Sequence, residues 1–145
     1  MPLSFDGQRI LILGAGVTGN AVARSLTKRG AVISIADENP AAQSEYRVIA
    51  AKEVEIKDFD SVVVSPGWRQ DHPLVVAAKA SGLSLLNEVD LAWQIKSEIA
   101  PGQKWLALTG TNGKTTTVEM VAAMLKRGGL KATACGNVGE TVIEV

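Results

Sequence analysis

The feature that most constrains the fold is a strand, glycine loop and helix pattern in the second half of the chain. Residues 104–109 form an apolar run that predicts a buried strand, and Gly110 and Gly113 permit a sharp turn after it. The apolar residues that follow recur at helical spacing: Val118, Val121, Ala122 and Leu125. Such a loop directs backbone N–H groups and the positive end of a helix towards one point, which suits a phosphate.

The loop residues are those of a candidate ATP site: Gly110, Thr111, Asn112, Gly113, Lys114, Thr115 and Thr116. Lys114 is the candidate catalytic residue because its ammonium group can neutralise phosphate charge, and the Thr115 hydroxyl is a candidate Mg²⁺ ligand. The common pattern G-x-x-x-x-G-K-[ST] would require glycine where the chain has Leu108. Gly-Lys-Thr alone fits an ordinary turn with a threonine cap, but the longer string favours nucleotide binding.

A second glycine pattern lies near the start of the chain. The apolar run 9–13 leads into G-x-G-x-x-G at residues 14–19, and the next apolar run, 31–36, ends at Asp37. This order predicts a Rossmann-like unit. Two ligands remain open: a nicotinamide or flavin cofactor whose ribose contacts Asp37, or a nucleotide sugar whose base faces Asp37.

The segment between the two glycine patterns predicts further strands and helices. Strands are predicted at 54–56, at 61–64 before the Pro66-Gly67 turn, and at 84–86. Gly67 is placed where a ligand can approach the backbone. Asp71 and His72 precede Pro73 at the start of a predicted helix, which favours Asp71 or His72 as a helix cap over a catalytic His72.

A further helix is predicted from residue 88 to residue 95. We expect it to bury Val89, Trp93 and either Leu91 or Ala92. Two acids in its first turn, Glu88 and Asp90, are expected from the helix dipole alone and do not indicate a catalytic pair.

The chain divides at a linker with the composition Ala-Pro-Gly-Gln at residues 100–103. We therefore predict a domain at 1–100 and the beginning of a second, truncated domain at 101–145. The second part is predicted to contain the strand at 104–109, a helix to Arg127, a glycine stop at 128–129 and a strand at 130–135.

Composition excludes several other classes of protein. The 145 residues are 46% hydrophobic, enough for a packed core, and 15 basic residues balance 15 acidic ones, so nothing favours nucleic-acid or membrane-surface binding. Cys135 is the only cysteine and is predicted to be a buried structural thiol. No apolar run reaches the about 20 residues of a membrane span, and the start lacks the regions of a signal peptide, so a cytoplasmic location is expected.

Four motifs together resemble the amino-terminal part of the Mur ligase family. They are, in order, residues 14–19, Ser65-Pro66-Gly67 with His72-Pro73, residues 110–116, and Gly136-Asn137-Val138-Gly139. The loop at 110–116 also resembles that of folylpolyglutamate synthases. The resemblance covers nearly the whole chain and, within the family, is greatest for members that add D-glutamate to UDP-N-acetylmuramoyl-L-alanine. It implies a Rossmann-like domain that binds the UDP precursor, followed by a P-loop-type α/β domain that binds ATP and Mg²⁺.

The resemblance also implies roles for individual residues. The expected precursor contacts are Val17, Thr18, Asp37, Glu38, Asn39, Gly67 and Asn137. Glu38 and Asn39 differ from the residues expected in the best-known members. The implied reaction, in cell-wall peptidoglycan synthesis, phosphorylates the L-alanine carboxylate with ATP, and the D-glutamate amine attacks the acyl phosphate. Other parts of that machinery would follow Val145, so the 145 residues are expected to bind ligand without completing ligation.

Two other functions remain alternatives: an NAD(P)-dependent oxidoreductase, which leaves the second glycine loop unexplained, and a non-catalytic nucleotide-binding module. The resemblance implies a monomer for the intact family. In this chain the partial second domain has too few elements to cover a parallel sheet. We expect it to be mobile or self-associating unless it packs on the first domain or on another copy.

Overall fold

The computed structural model describes residues 4–145, in which five strands form a parallel sheet. In chain order the strands are β1 (Arg9–Leu13), β2 (Val32–Asp37), β3 (Val48–Ala50), β4 (Ser61–Val64) and β5 (Ser84–Leu86). Their order across the sheet is β3-β2-β1-β4-β5, and each neighbouring pair is parallel. Residues 1–3, which contribute to the expectation of no signal peptide, lie outside the described residues.

Four α-helices are present in residues 4–145: α1 (Val17–Thr27), α2 (Pro73–Ala80), α3 (Glu88–Ile99) and α4 (Lys114–Arg127). Short 3₁₀ helices occur at Ala51–Glu53, Ile56–Asp58 and Val142–Glu144. None of the helices in this part of the chain is long and apolar enough to cross a bilayer.

The core lies on both faces of the sheet because side chains alternate along each strand. Ile10 and Ile12 of β1 pack with residues of α1 and α3, whereas Leu11 and Leu13 pack with residues of α2. All four side chains are almost completely buried. The sheet is therefore covered by helices on both sides, and the predicted Rossmann-like α/β class is confirmed.

The strand order changes direction between β1 and β4. From β1 the chain extends to β2 and β3 on one side, and then crosses to β4 and β5 on the other. In open α/β sheets ligands bind at such a point, outside the carboxyl ends of the strands. The segments that follow Leu13 and Val64 therefore form the natural place for a site.

Three strand predictions are wrong. Residues 54–56 do not form a strand, and the third strand is Val48–Ala50 instead. Residues 104–109 and 130–135 are not strands either; only Cys135 makes an isolated bridge, to Glu140. A parallel strand requires a neighbour with which to exchange hydrogen bonds, and residues 4–145 provide none there, so Leu106 is 71% exposed.

The predicted inner face of α3 is also wrong in part. Val89 and Trp93 are exposed, and the buried residues of the helix are Glu88, Leu91, Ala92 and Ile95. This i, i+3, i+4, i+7 spacing is the one that places residues on a single helix face. The buried stripe is displaced by one residue from the predicted one and includes an acid.

The helix after the second glycine loop is confirmed, with its end at Arg127. Gly129, at φ 82°, donates its N–H to the Lys126 carbonyl, and Leu130 donates to that of Leu125. This pair of hydrogen bonds is a Schellman motif, which ends a helix at a left-handed glycine. A turn closed by the Gln103 N–H and the Ala100 carbonyl lies at the predicted linker, and the domain boundary there stays a prediction.

Candidate functional site

The glycine turn after β1 is packed tightly against its surroundings. Gly14 has a φ of 106° and donates its N–H to the Ala36 carbonyl at 2.8 Å. A Cβ atom on Gly19 would overlap the Gly14 carbonyl, so only glycine lets α1 approach β1 this closely. The first and third glycines of the motif are thus required by the turn and by helix packing.

Asp37 holds this turn through main-chain hydrogen bonds. One carboxylate oxygen accepts the Ala15 N–H at 2.8 Å, and the other accepts the Asn39 N–H at 2.9 Å. The Asn39 side chain in turn accepts the Ala41 N–H. Asp37 therefore joins the loop after β2 to the loop after β1, which leads directly into Val17 and Thr18 of α1.

The amino end of α1 is open. No side chain of the described residues caps it at Gly16, and Val17 and Thr18 form its exposed or half-exposed first turn. By contrast, His72 caps α2 and Asn87 caps α3 through side-chain hydrogen bonds. Uncapped N–H groups at the positive end of a helix are suited to bind an anion.

Asn20 stabilises the same region and was not anticipated from sequence. Its amide nitrogen donates to the Ala15 carbonyl at 2.6 Å, and its amide oxygen accepts the Ser44 hydroxyl at 2.6 Å. Asn20 therefore fixes the glycine turn and the loop after β2 together. The only sequence signal for this role was the amide side chain one residue after the final glycine of the motif.

A cavity of about 420 Å³ lies beside the loops after β2 and β4. It is lined by Glu38, Gly67, Trp68, Arg69, Asp71, His72 and Pro73. The structure thus brings together two predicted precursor residues, Glu38 and Gly67, that are far apart in sequence. Because Glu38 is exposed and Gly67 has open space around it, both are accessible to a ligand.

Of the two predicted caps of α2, Asp71 and His72, the structure shows His72. Nδ1 accepts the Leu74 N–H at 3.2 Å, and Nε2 lies 2.7 Å from a Glu38 carboxylate oxygen. Because Nδ1 accepts, the proton of the neutral ring is on Nε2, where it is donated to Glu38. His72 therefore connects the start of α2 to the loop after β2.

Trp68 forms a wall of the site and was missed in the sequence. Its ring meets that of His72 edge-on, with the centroids 4.4 Å apart, and its indole nitrogen lies over Gly14. Trp68 also lines a second cavity, of about 500 Å³, with Ser65, Lys79 and Glu88. The sequence signal that could have placed Trp68 at the site was its position directly after the Pro66-Gly67 turn.

The second glycine loop forms a separate candidate site. Gly110 and Gly113 have φ values of 154° and 74°, and no described side chain caps α4. Lys114 Nζ donates to the Gly110 carbonyl at 2.6 Å, so its ammonium group lies over the loop. Thr111, Asn112, Thr115 and Thr116 are all exposed. These features fit a phosphate.

The same loop carries one oxygen donor suited to a magnesium ion. The exposed Thr115 hydroxyl is a hard oxygen donor of the type that Mg²⁺ accepts. Across residues 4–145, no three His, Cys, Asp or Glu side chains are grouped so as to hold a metal by themselves. The residues of the loop therefore offer a magnesium ion a single hydroxyl ligand, that of Thr115.

Asn137 lies apart from the other predicted precursor residues in sequence and is exposed in a closed turn. The Gly136 N–H donates to the Glu140 carbonyl at 2.9 Å, which closes the turn around Asn137. Cys135, which precedes the turn, is half-buried rather than fully buried as predicted.

The doubly wound parallel sheet, with a glycine turn at its switch point, defines an α/β protein of Rossmann-like architecture. Residues 8–87 match the family described as Mur ligase MurD-like, N-terminal domain. The chain belongs to the Mur ligase family, and its amino-terminal part is of the MurD-like type. The resemblance expected from the four motifs is confirmed.

The curated relatives of the chain are also Mur ligases. The chain is 42% identical to a UDP-N-acetylmuramoylalanine–D-glutamate ligase of Mycolicibacterium vanbaalenii over 98% of its length, and equally identical to one of Thermobifida fusca. It spans 31% and 32% of the lengths of these two relatives.

Solved structures agree at the level of fold. UDP-N-acetylmuramate-alanine ligase MurC of Thermotoga maritima matches 82% of this chain and 29% of its own, with a TM-score of 0.52 and 26% identity. A Neisseria UDP-N-acetylmuramate:L-alanyl-gamma-D-glutamyl-meso-diaminopimelate ligase matches 93% of this chain and 46% of its own, with a TM-score of 0.52 and 22% identity. The latter likeness concerns the fold alone.

Proposed function

We propose that this chain is the amino-terminal part of an ATP-dependent ligase that adds D-glutamate to UDP-N-acetylmuramoyl-L-alanine during peptidoglycan synthesis. The observation that carries the proposal is the open amino end of α1 at the switch point of the sheet, beside a glycine turn held by Asp37. The names of the curated relatives support the choice of reaction. Under this proposal the protein acts in the cytoplasm, where the nucleotide precursor is assembled.

The precursor is proposed to lie along the carboxyl edge of the sheet. Its diphosphate is bound at Val17 and Thr18, where the first-turn amides are uncapped, and its uracil faces the loop of Asp37, Glu38 and Asn39. The sugar and L-alanine extend past Gly67 towards Asn137. The cavity shared by Glu38 and Gly67 supports this path.

ATP is proposed to bind at residues 110–116. Lys114 would leave the Gly110 carbonyl and donate to the terminal phosphates, while Thr115 would contribute a ligand to Mg²⁺. When bound, the magnesium ion neutralises charge on the phosphate oxygens. The contribution of this chain is to orient the phosphates with backbone N–H groups and a lysine.

The proposed reaction has two steps. An oxygen of the L-alanine carboxylate attacks the γ-phosphorus of ATP, the bond to ADP breaks, and an acyl phosphate forms. The amine of D-glutamate then attacks the acyl carbon, loses a proton and displaces phosphate. Lys114 stabilises the charge on the transferred phosphoryl group. We propose that the 145 residues alone bind ligand without completing ligation, because they span 31% of a relative's length.

Calorimetric titration with UDP-N-acetylmuramoyl-L-alanine tests the precursor site, with NAD as the parallel ligand. We expect saturable binding of the precursor and none of NAD. Asp37→Ala should weaken binding by about tenfold or more, as expected for loss of a charge-assisted contact. Asp60→Ala is the matched control, because Asp60 also accepts a main-chain N–H, that of Arg9, but lies at the opposite edge of the sheet. NAD binding without precursor binding would establish the oxidoreductase alternative instead.

A second titration, with ATP and magnesium, tests the loop at 110–116. Lys114→Ala should weaken ATP binding while precursor binding is retained. Lys126→Ala is the control, since Lys126 is an exposed lysine in the last turn of the same helix. Equal ATP binding by all three proteins would refute the role of Lys114.

A further inference from the structure

The carboxyl-terminal segment returns to the first half of the chain. Residues 141–144, here named the strap, contact α1 and α3. Thr141 is only 5% exposed, and Ile143 packs against the core cluster that contains residues of both helices. The strap is thus built into the Rossmann-like unit although it lies more than 40 residues beyond α3 in sequence.

Side chains of α1 and α3 hold the strap at Ile143 and Glu144. Arg24, in the last turns of α1, donates from Nε and from one terminal nitrogen to a Glu144 carboxylate oxygen, at 3.1 and 2.6 Å. The Thr141 hydroxyl donates to the other Glu144 oxygen at 2.8 Å. The Ile143 N–H donates to a carboxylate oxygen of Glu88 at 3.0 Å.

Glu88 is unusual among these residues because it is an acid on a buried helix face. It is 7% exposed and occupies the same stripe as Leu91, Ala92 and Ile95. A carboxylate is seldom buried unless it has a hydrogen-bond partner, and here that partner is the main chain of the strap. The first-turn position of Glu88 therefore does not by itself explain its burial.

The strap also fixes the turn before it. Asn137 lies in the turn closed between Gly136 and Glu140, and Glu140 directly precedes the buried Thr141. Docking of the strap therefore anchors the chain directly after the turn that contains Asn137. Glu88 itself lines the 500 Å³ cavity at the ends of β4 and β5, so docking takes place at a wall of the candidate site.

We propose that Glu88 and Arg24 are positioning residues, which dock the strap and so hold Asn137 against the part of the ligand beyond the nucleotide. The inference rests on the proposed function, because it takes Asn137 as a precursor contact. Arg24 lies on the helix whose first turn receives the diphosphate, so one element carries both the nucleotide site and an anchor of the strap.

Titration of variants with two probes, UDP and UDP-N-acetylmuramoyl-L-alanine, tests the proposal. Glu88→Ala should weaken binding of the complete precursor by about tenfold and leave UDP binding within about twofold, since the nucleotide site is untouched. Glu88→Gln, whose amide oxygen can still accept the Ile143 N–H, should restore most of the loss. Arg9→Ala, which removes an exposed arginine at the amino end of β1, is the control.

A double-mutant cycle tests whether Glu88 affects precursor binding through Asn137. If Glu88 acts through Asn137, Glu88→Ala combined with Asn137→Ala should bind no more weakly than Asn137→Ala alone. Additive losses would overturn the positioning role. Arg24→Ala, a change at a partly exposed side chain, supplies the same test if Glu88→Ala fails to fold.

Docking of the strap is measured separately by amide exchange. We expect Glu88→Ala and Arg24→Ala to lose protection at 141–144 while β1 stays protected. Unchanged protection in both variants would refute docking by these residues. If the unsubstituted chain binds neither probe, the proposed function and the positioning role both fail, whereas exchange still decides whether Glu88 and Arg24 dock the strap.

Discussion

The carboxylate of Asp37 accepts the backbone N–H of Ala15 at 2.8 Å, across the gap between the loops after β2 and β1. The sequence predicts that Asp37 contacts a ribose or faces a base. In the structure both of its oxygens accept main-chain N–H groups instead. Each oxygen retains a further lone pair. Asp37 can therefore organise the turn and still face a ligand.

Asp37→Ala should consequently destabilise the fold as well as weaken ligand binding. Loss of two hydrogen bonds to a carboxylate should lower the free energy of unfolding by about 1–3 kcal/mol. Urea denaturation measures the change. An unaltered midpoint would mean that the turn does not depend on these contacts.

Gly19→Ala should destabilise the protein because the new Cβ would overlap the Gly14 carbonyl. The helix would have to move away from β1, and such overpacking costs about 1–3 kcal/mol. Gly102→Ala is the control, since the space around Gly102 is open and its φ is not positive. A Gly19→Ala midpoint equal to that of the control would show that α1 shifts without cost.

Cys135 should react slowly with alkylating reagents. Burial raises the pKa of its thiol above the ordinary value of 9.0, and the carboxylates of Glu88 and Glu140 raise this pKa further. Because the thiolate is the reactive form, the folded chain should be alkylated more slowly than the urea-unfolded chain at the same pH. Glu140→Gln should increase the rate slightly. Equal rates for folded and unfolded chains would contradict this view of the site.

Docking of the strap should weaken in acid. The Arg24 guanidinium, with help from the Thr141 hydroxyl and the charge of Lys28, holds the pKa of Glu144 below its ordinary value of 4.5. A depressed pKa stabilises the folded state above the unfolded value, and this contribution is lost as pH falls through the folded value. Protection factors at 141–144 should therefore be constant above 4.5 and decrease below it. In Glu144→Gln, where nothing titrates at this position, the decrease should be smaller.

The outer face of α4 should make the chain self-associate. Met120 and Met124 are both exposed, Met124 to 70%, and Leu106 and Leu130 are exposed on neighbouring segments. Exposed apolar groups of this kind favour association between copies. Sedimentation should show mass that increases with concentration, and replacing both methionines with lysine should reduce it. A monomeric mass at all concentrations would contradict this prediction.

Much of the first half could be predicted because its signals are local. A buried run followed by glycine, as at Leu13-Gly14, predicts a strand and turn whatever lies elsewhere, and Pro73 after His72 predicts a helix start. Residues 104–109 carry an equally strong apolar pattern yet form no strand. A strand in a sheet also depends on neighbours that a local pattern does not specify.

The loops of the candidate site could be predicted from sequence. The side chains that hold those loops in place could not. Glycine-rich loops have recognisable spacing, whereas Asn20 and Trp68 act through contacts with distant segments. Glu88 gave a partial signal, since it shares the i, i+3, i+4, i+7 face with Leu91, Ala92 and Ile95. What sequence could not supply was its partner, the Ile143 N–H, because that pairing spans 55 residues.

The parallel sheet has a practical consequence for anyone who wishes to label the protein. Apart from the connection between β2 and β3, the loops that enter strands lie on the rim opposite the candidate site, and the loop at Gly82, between α2 and β5, has open space around it. A fluorophore attached at Ser81 would report on the protein from the far side of the sheet. It would remain out of the way of any ligand bound at the carboxyl rim.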